Sequence, residues 1–394
     1  MSDKLKIIVL GAVGQIPFAG MAWEALHYLE GFRRLGHDVY YVEDTGSWPY
    51  DPVEDGSSQN CRNAVHYLAR VMEWGGFSGR WAYRAPEPDD SVFGLSESCF
   101  AELFRQADVL INWAAATRLH DRHLSVPVRV FLQTDPGGGE ILAAQGDPGT
   151  IELLSAHTHF FNWAENLGAP ECQLPAEPFS YCLTRMPVVL DWFTPPAGLS
   201  FRPARPPQVR FTTMANWYQP GEVEWKGEVY HWSKHHQFLK FIDLPKRIDQ
   251  PLELALGSID EEAVELLVAN QWKVVEAAPI GTEIEPFRDY IFGSDAEFTV
   301  AKDQYVRLRT GWFSDRSSYY LTAGKPVITQ NTGFGRVLPT GEGLFSFDTV
   351  EEVVTACEAI QSDYSRHAKA ARAIAEEYFR AETVLAKLLN DLQL

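Results

Sequence analysis

The sequence predicts an α/β protein of two successive parallel-sheet domains facing a cleft, closed by C-terminal helices. Three observations carry that prediction. Short β-branched runs alternate with helix-period segments along most of the chain, the pattern of a parallel sheet covered on both faces. The alternation breaks at "DWFTPPAGLSFRPARPPQ", a proline-rich polar stretch from Asp191, and then resumes. The length, 394 residues, suits two domains of about 150 residues or somewhat more.

The first unit is the clearest. Strand "KIIVL" leads through the glycine turn "GAVGQIPFAG" into helix "MAWEALHYLEGFRRLG" and then strand "HDVYYV", which ends in Glu43 and Asp44. Met21, Ala25, Tyr28, Leu29, Phe32 and Leu35 recur on one helical face, and Gly36 stands where a helix C-terminal glycine belongs. "DVLINW", "VRVFLQ" and "THFFNW" read as further strands of a domain spanning 1–190. After a linker at 191–208, strands "VRFTTMANW", "LELALG", "WKVVEA", "EFTVAK", "KPVITQ" and "LFSF" alternate with helices near "KHHQFLKFIDL", "DEEAVELLVANQ", "RDYIFGS" and "DRSSYYLTA", giving a second domain over 209–375. The last stretch, 376–394, reads as a helix returning to the first domain. Both domains are Rossmann-like in this reading, with ligands expected at the carboxyl ends of the strands.

Composition narrows the function. The formal net charge is −19, which argues against nucleic acid or an anionic membrane as a partner, since both need a basic surface. Cys61, Cys99, Cys172, Cys182 and Cys357 show no paired spacing, so neither structural zinc nor a disulfide framework is expected, and a reducing cytoplasm fits. Lys4 and Lys6 ahead of "IIVLGAV" imitate a signal peptide, but the apolar run is short and Gln15 ends it. No run approaches the ~20 apolar residues of a membrane span.

The most informative stretch is "FSDRSSYYLTAGKPVITQNTGFG", Phe313 to Gly335. Ser314 is the expected N-cap of a helix carrying Asp315, Arg316 and Ser317 in its first turn; Gly324 and Pro326 end it, and a second small-residue loop with Thr332 and Gly333 follows the next strand. A helix N-terminus offers unpaired N–H groups and about half a positive charge, enough to seat an anion, to which Arg316, Ser317 and Lys302 could add donors. Ordinary capping explains the same residues without any ligand.

From Phe298 to Phe347 the chain resembles the nucleotide-sugar half of the GT-B glycosyltransferases, in particular the group with an Arg-Ser pair before "YLxxGxPVI". Its opening, "GxxGxxxxxG…L…GHDVYYVE", is similar to the start of their acceptor domain. The resemblance implies a sugar-nucleotide donor in the second domain and no metal or other cofactor. Ser314, Arg316, Ser317 and Lys302 would hold the diphosphate, with Thr332 and Gly333 beside it. Tyr319 stands where many retaining members carry a ribose-binding glutamate, and Gly311 replaces a second one, so nucleotide and anomeric outcome stay open.

In the first domain Gly14, with Gly11 and Gly20, permits a tight turn near a ligand or serves simple connection. His27 falls opposite the apolar stripe, which points to a solvated or interface position. Asp135 opens "DPGGGE" at the end of a strand, where a carboxylate can take a proton from an acceptor hydroxyl or form a turn. His157 and His159 lack a third convincing metal ligand, leaving His159 to substrate contact or packing. Asn216 and Trp217 open "NWYQPGEVEWKGEVYHWSKHHQ", the stretch expected to shape the cleft. The reading is therefore a glycosyltransferase moving sugar to an unidentified acceptor hydroxyl. Its alternatives are a noncatalytic nucleotide- or glycan-binding module and an NAD-dependent oxidoreductase, the latter disfavoured because "GAVGQIPFAG" fails the G-x-G-x-x-G fingerprint.

Overall fold

A computed structural model describes residues 4–51, 56–196 and 208–394. Most of the proposed linker, 197–207, lies outside the described residues.

The first sheet has eight strands. From one edge they run Cys182–Leu183, His159–Asn162, Val128–Gln133, Val109–Trp113, Lys6–Leu10, Asp38–Glu43, Trp81–Arg84 and Val92–Gly94. All pairings are parallel except the last. The second sheet has six parallel strands, in order Lys273–Glu276, Leu252–Gly257, Phe211–Asn216, Ala296–Thr299, Val327–Gln330 and Leu344–Phe347. Each run named in the sequence thus becomes a strand. Burial explains their legibility: Val109–Trp113 is buried at all five positions and Leu252–Gly257 at the first five of six, so they read as continuous apolar runs. No comparable apolar run marks the two-residue strand Cys182–Leu183 or the antiparallel hairpin of Glu222–Trp225 with Glu228–His231 inside the aromatic loop.

The first helix, Ala19–Arg34, departs from its predicted amphipathic character. Twelve of the fourteen positions from Ala19 to Phe32 are buried, on every face of the helix, including Glu24, His27 and Glu30. The cause is its place in the fold: it contacts helix Ala381–Asp391, helix Ile284–Gly293 and its own sheet. Gly31 makes the first of these contacts possible, because a Cβ there would run into Leu385. Trp23 packs edge-on against Trp74 and Phe193 and donates its indole N–H to the Ile284 carbonyl at 2.9 Å. One hydrophobic cluster accordingly runs from Ile7 and Trp23 through Phe193 to Tyr319 and Phe379, joining both halves, while a second, around Phe211, Trp217 and Phe298, belongs to the second sheet.

Candidate active site at the seam between the halves

In each sheet the chain steps outward in opposite directions from two central strands. These are Lys6–Leu10 and Val109–Trp113 in the first, and Phe211–Asn216 and Ala296–Thr299 in the second. Such a divergence leaves a crevice at the carboxyl ends, the usual ligand position in open parallel sheets. Asp135 follows strand Val128–Gln133 and Lys302 follows Ala296–Thr299, and the structure brings the two together across the seam. Lys302 Nζ ion-pairs with Asp135 Oδ2, and the Tyr305 hydroxyl donates to Oδ1 of the same carboxylate. Gln304 Nε2 donates to the Pro136 carbonyl at 3.1 Å, and Trp312 Nε1 to the Thr134 carbonyl at 2.9 Å. Burial, then Asp135, pushes the Tyr305 hydroxyl far above its ordinary range, so it stays a donor. Asp135 is therefore a docking point for the second half, with both oxygens engaged, which corrects its expected freedom to act as a base.

Helix Asp315–Thr322 begins as expected at Ser314, whose backbone is extended at φ −69 and ψ 134; its hydroxyl, however, reaches Asp315 Oδ1 at 3.3 Å and caps no N–H. At the other end Gly324, at φ +68, donates to the Leu321 carbonyl and Lys325 to that of Tyr320, both at 2.9 Å, a C-terminal motif that needs the left-handed residue. Arg316 is the main correction. Its guanidinium points into the sheet, with Nε on Glu297 Oε1 at 2.7 Å, Nη1 on the Met214 carbonyl at 2.5 Å and Nη2 on Thr299 Oγ1 at 2.9 Å. Burial works against its charge and Glu297 more than restores it. Arg316 thus ties the two central strands together instead of reaching outward, because Glu297, fully buried on the neighbouring strand, needs a cation.

The other predicted donor residues divide. Ser317 is fully buried and its Oγ has no hydrogen-bond partner. Tyr319 is core, its ring stacked on Phe193 at 4.4 Å and 12°, which removes it from any ribose site. Thr332 Oγ1 donates to the Trp312 carbonyl at 2.6 Å. Gly333, at φ +95, lies against Asn166 of the first half, whose Nδ2 donates to its carbonyl at 3.0 Å. Of the predicted cleft residues, Trp217 is 1% exposed and stacks on Phe238 in the second core, so it offers no surface; its neighbour Asn216 is exposed at the end of its strand. His159 opens its strand, away from the carboxyl edge, and bonds the Thr158 hydroxyl at 2.9 Å. His27 is wholly buried and accepts from Val189 N at 3.0 Å, with burial and then Arg34 depressing it to about 3.

Gly14 donates to Glu43 Oε1 at 2.6 Å and Gln15 to Oε2 at 2.9 Å. Glu43, buried and raised to about 7 against these donors, is thereby committed to holding the glycine turn, which leaves it no freedom to bind a cofactor ribose. Asp44, His120 and His123 bring three ligand-type atoms within 4.8 Å of one another. The His120 N–H donates to His123 Nδ1 at 3.2 Å, so the ring proton sits on Nε2, facing Asp44 Oδ2 at 3.3 Å. With Arg84 on the other Asp44 oxygen at 3.1 Å, these side chains form an acid–histidine–arginine cluster.

Two residues that sequence reasoning passed over stand at the seam. Lys234, just after the hairpin, faces Arg316 and Lys302, with Glu297 and Asp315 also near. Among the described residues its ammonium has no ion-pair or hydrogen-bond partner. Burial, then the two cations, depresses it to about 7. Glu24, on the first helix, is buried beside Asp315, Trp113 and Asp135. Neither carries a distinctive signal in the sequence: Lys234 lies in an aromatic-rich loop and Glu24 in an ordinary helical repeat.

No protein-family model and no curated protein matches the chain. Solved structures do match, over nearly the full length. They include a glycosyltransferase from Rickettsia africae ESF-5, at 12% identity over 98% of this chain and 97% of that one with a TM-score of 0.56. Anabaena HepE in complex with UDP and glucose matches at 12% over 99% of each chain, TM-score 0.56. An α-glucosyltransferase in complex with UDP and a DNA 13-mer matches at 10% over 99% of this chain and 100% of that one, TM-score 0.62. At such identities the likeness is one of fold: the chain has the two-domain GT-B architecture.

Proposed function

We propose that the protein is a glycosyltransferase that takes a sugar from a nucleoside diphosphate donor and delivers it to an acceptor hydroxyl without a metal ion. The supporting observation is the gathering of Lys234 and Lys302 beside the amino end of helix Asp315–Thr322, at the divergence point of the second sheet and opposite the first half. Lys302 is already paired with Asp135, but Lys234 has no such partner and meets Lys302, Arg316 and a helix N-terminus, a repulsion that an entering anion would relieve. A diphosphate has the charge to relieve that repulsion, and neutralising it as it leaves is the main electrostatic task in glycosyl transfer from such donors. The neighbours in fold that bind UDP support the same reading. The acidic chain disfavours DNA as acceptor, and the five cysteines, all free, suit the cytoplasm. No described helix is long and apolar enough to cross a membrane.

Calorimetry with UDP, GDP, dTDP and NAD tests this. One nucleoside diphosphate is expected to bind with proton uptake above pH 7, because the anion raises the depressed Lys234 back toward its ordinary value. Lys234→Ala should abolish the uptake and weaken binding roughly 10- to 100-fold, the loss of a charge-assisted contact, with unfolding temperature little changed. Binding of NAD alone would refute the reading; unaltered turnover after chelation would support metal independence.

A further inference from the structure

The loop after strand Val128–Gln133 meets the second half through a carboxylate and a close-fitting backbone. Asp135 Oδ2 takes Lys302 Nζ, while Oδ1 takes the Tyr305 hydroxyl and, at 3.3 Å, Gln304 Nε2. All three donors come from one turn of the second half, the start of helix Asp303–Arg307 and the Lys302 that precedes it. The backbone beside the carboxylate is shaped to that same turn. Gly137, at φ +141, leaves no room for a Cβ, which would lie 2.8 Å from the side-chain carbonyl carbon of Gln304. Trp312 stacks on Tyr305 at 4.3 Å and donates its indole N–H to the Thr134 carbonyl, so the donors are held from behind as well. An ammonium, a phenol and an amide converging on one pair of oxygens make a seat for an anion. Its occupant here is a carboxylate of the chain itself.

The two members of the ion pair are unequally placed. The Lys302 side chain is 11% exposed and that of Asp135 45%. Separating them therefore costs the two sides differently: a buried ammonium needs another anion, whereas a half-exposed carboxylate needs only to turn into water. The charges around them favour the same exchange. Arg316 is committed to Glu297, while Lys234 lies near Lys302 and has Asp315 as a further acid beside it. A diphosphate drawn to Lys234 with Asp135 still in place would crowd its own negative charge against that carboxylate; with Asp135 turned outward, both lysines face the phosphate. We propose, resting on the nucleoside diphosphate reading above, that Asp135 is an internal anion holding the phosphate seat at Lys302, and that the donor's phosphate displaces it and thereby releases the contact docking the two halves. Docking of the halves and binding of the donor then compete for one ammonium. By reciprocity each weakens the other, and the seam loosens as the donor enters.

The test joins calorimetry to hydrogen exchange on the full chain, in wild type and Asp135→Asn, with UDP, GDP, dTDP and inorganic pyrophosphate as probes. Removing the competing charge should tighten binding of the preferred probe roughly 5- to 150-fold, the range of ordinary coupling between two sites. In wild type, saturation with that probe should quicken exchange around Gly137 and Gln304; in Asp135→Asn, where the contact is already lost, the same addition should change nothing there. Binding detected only in Asp135→Asn would support the displacement in its strongest form. Unchanged or weaker binding in Asp135→Asn would overturn the displacement and leave the nucleoside diphosphate reading standing. So would tighter binding without quickened exchange in wild type, since Asp135 would then act only as a nearby charge. Failure of every probe to bind either protein would overturn the donor reading and this inference with it. The exchange comparison in wild type needs no variant, so it carries the test if Asp135→Asn fails to fold.

Discussion

Arg316 and Lys234 are close together, yet the structure pairs one charge and leaves the other without an ion-pair partner. Arg316 is enclosed by Glu297, Thr299 and the Met214 carbonyl, so Arg316→Ala leaves a buried carboxylate unpaired and should cost about 3–5 kcal/mol of stability, read as a large fall in denaturation midpoint. Lys234 has no such partner, and its removal should be felt in ligand affinity instead. Buried histidines make a second prediction. His27 is held at about 3 and His157 at about 4, in each case first by burial. Their folded-state values lie below the unfolded value near 6.5, so the unfolded chain binds more protons and stability falls as pH drops from about 6.5 toward 3. Denaturant titrations across that interval should show the decline, and a flat profile would mean that neither ring is buried in its neutral form. For Tyr319→Phe, which removes only an unpartnered hydroxyl from a stacked ring, a stability change within about ±0.5 kcal/mol is expected.

Among the elements, the glycine-terminated strands and helices show how close approach is arranged. Gly343, at φ +76, precedes strand Leu344–Phe347 and lies against the backbone of helix Tyr364–Tyr378, where a Cβ would collide with Ala371 N and meet Ala370. Gly343→Ala should therefore both strain the turn and push the helix off its sheet, costing roughly 1–3 kcal/mol, measurable by thermal unfolding. That helix also ties to the seam: Arg372 Nη1 donates to the Thr322 carbonyl at 2.7 Å, at the end of the helix carrying Arg316. Helix Asp315–Thr322 is thus fixed at both ends by contacts within the protein. The first helix does the complementary work, carrying Glu24 and Tyr28 one turn apart on the face toward that amino terminus.

For the whole molecule, closure across the seam depends on a few polar contacts laid over a continuous apolar core. Asp135 receives Lys302 and Tyr305, and Asn166 Nδ2 donates to the Arg309 and Gly333 carbonyls at 3.2 and 3.0 Å. Asp135→Asn removes the charge but little volume, so it should loosen the seam while leaving both sheets folded. Hydrogen exchange should quicken around Gly137 and Gln304 and stay unchanged in strands Lys6–Leu10 and Phe211–Asn216; unchanged exchange at Gly137 would remove Asp135 from the docking role. The strands and the helix ends at Gly36 and Gly324 were legible in the sequence because each follows from local rules: side-chain periodicity, capping and the conformations open to glycine. Those rules act over a few residues, and the amino-acid order alone determines them. The direction in which Arg316 points, the pairing of Asp135 with Lys302 across 167 residues, the closeness of Lys234 to two other cations and the burial of Glu24 beside Asp315 were decided only by tertiary structure. Charge and burial depend on which distant groups the fold brings within a few ångströms, and no local pattern in the chain records that distance.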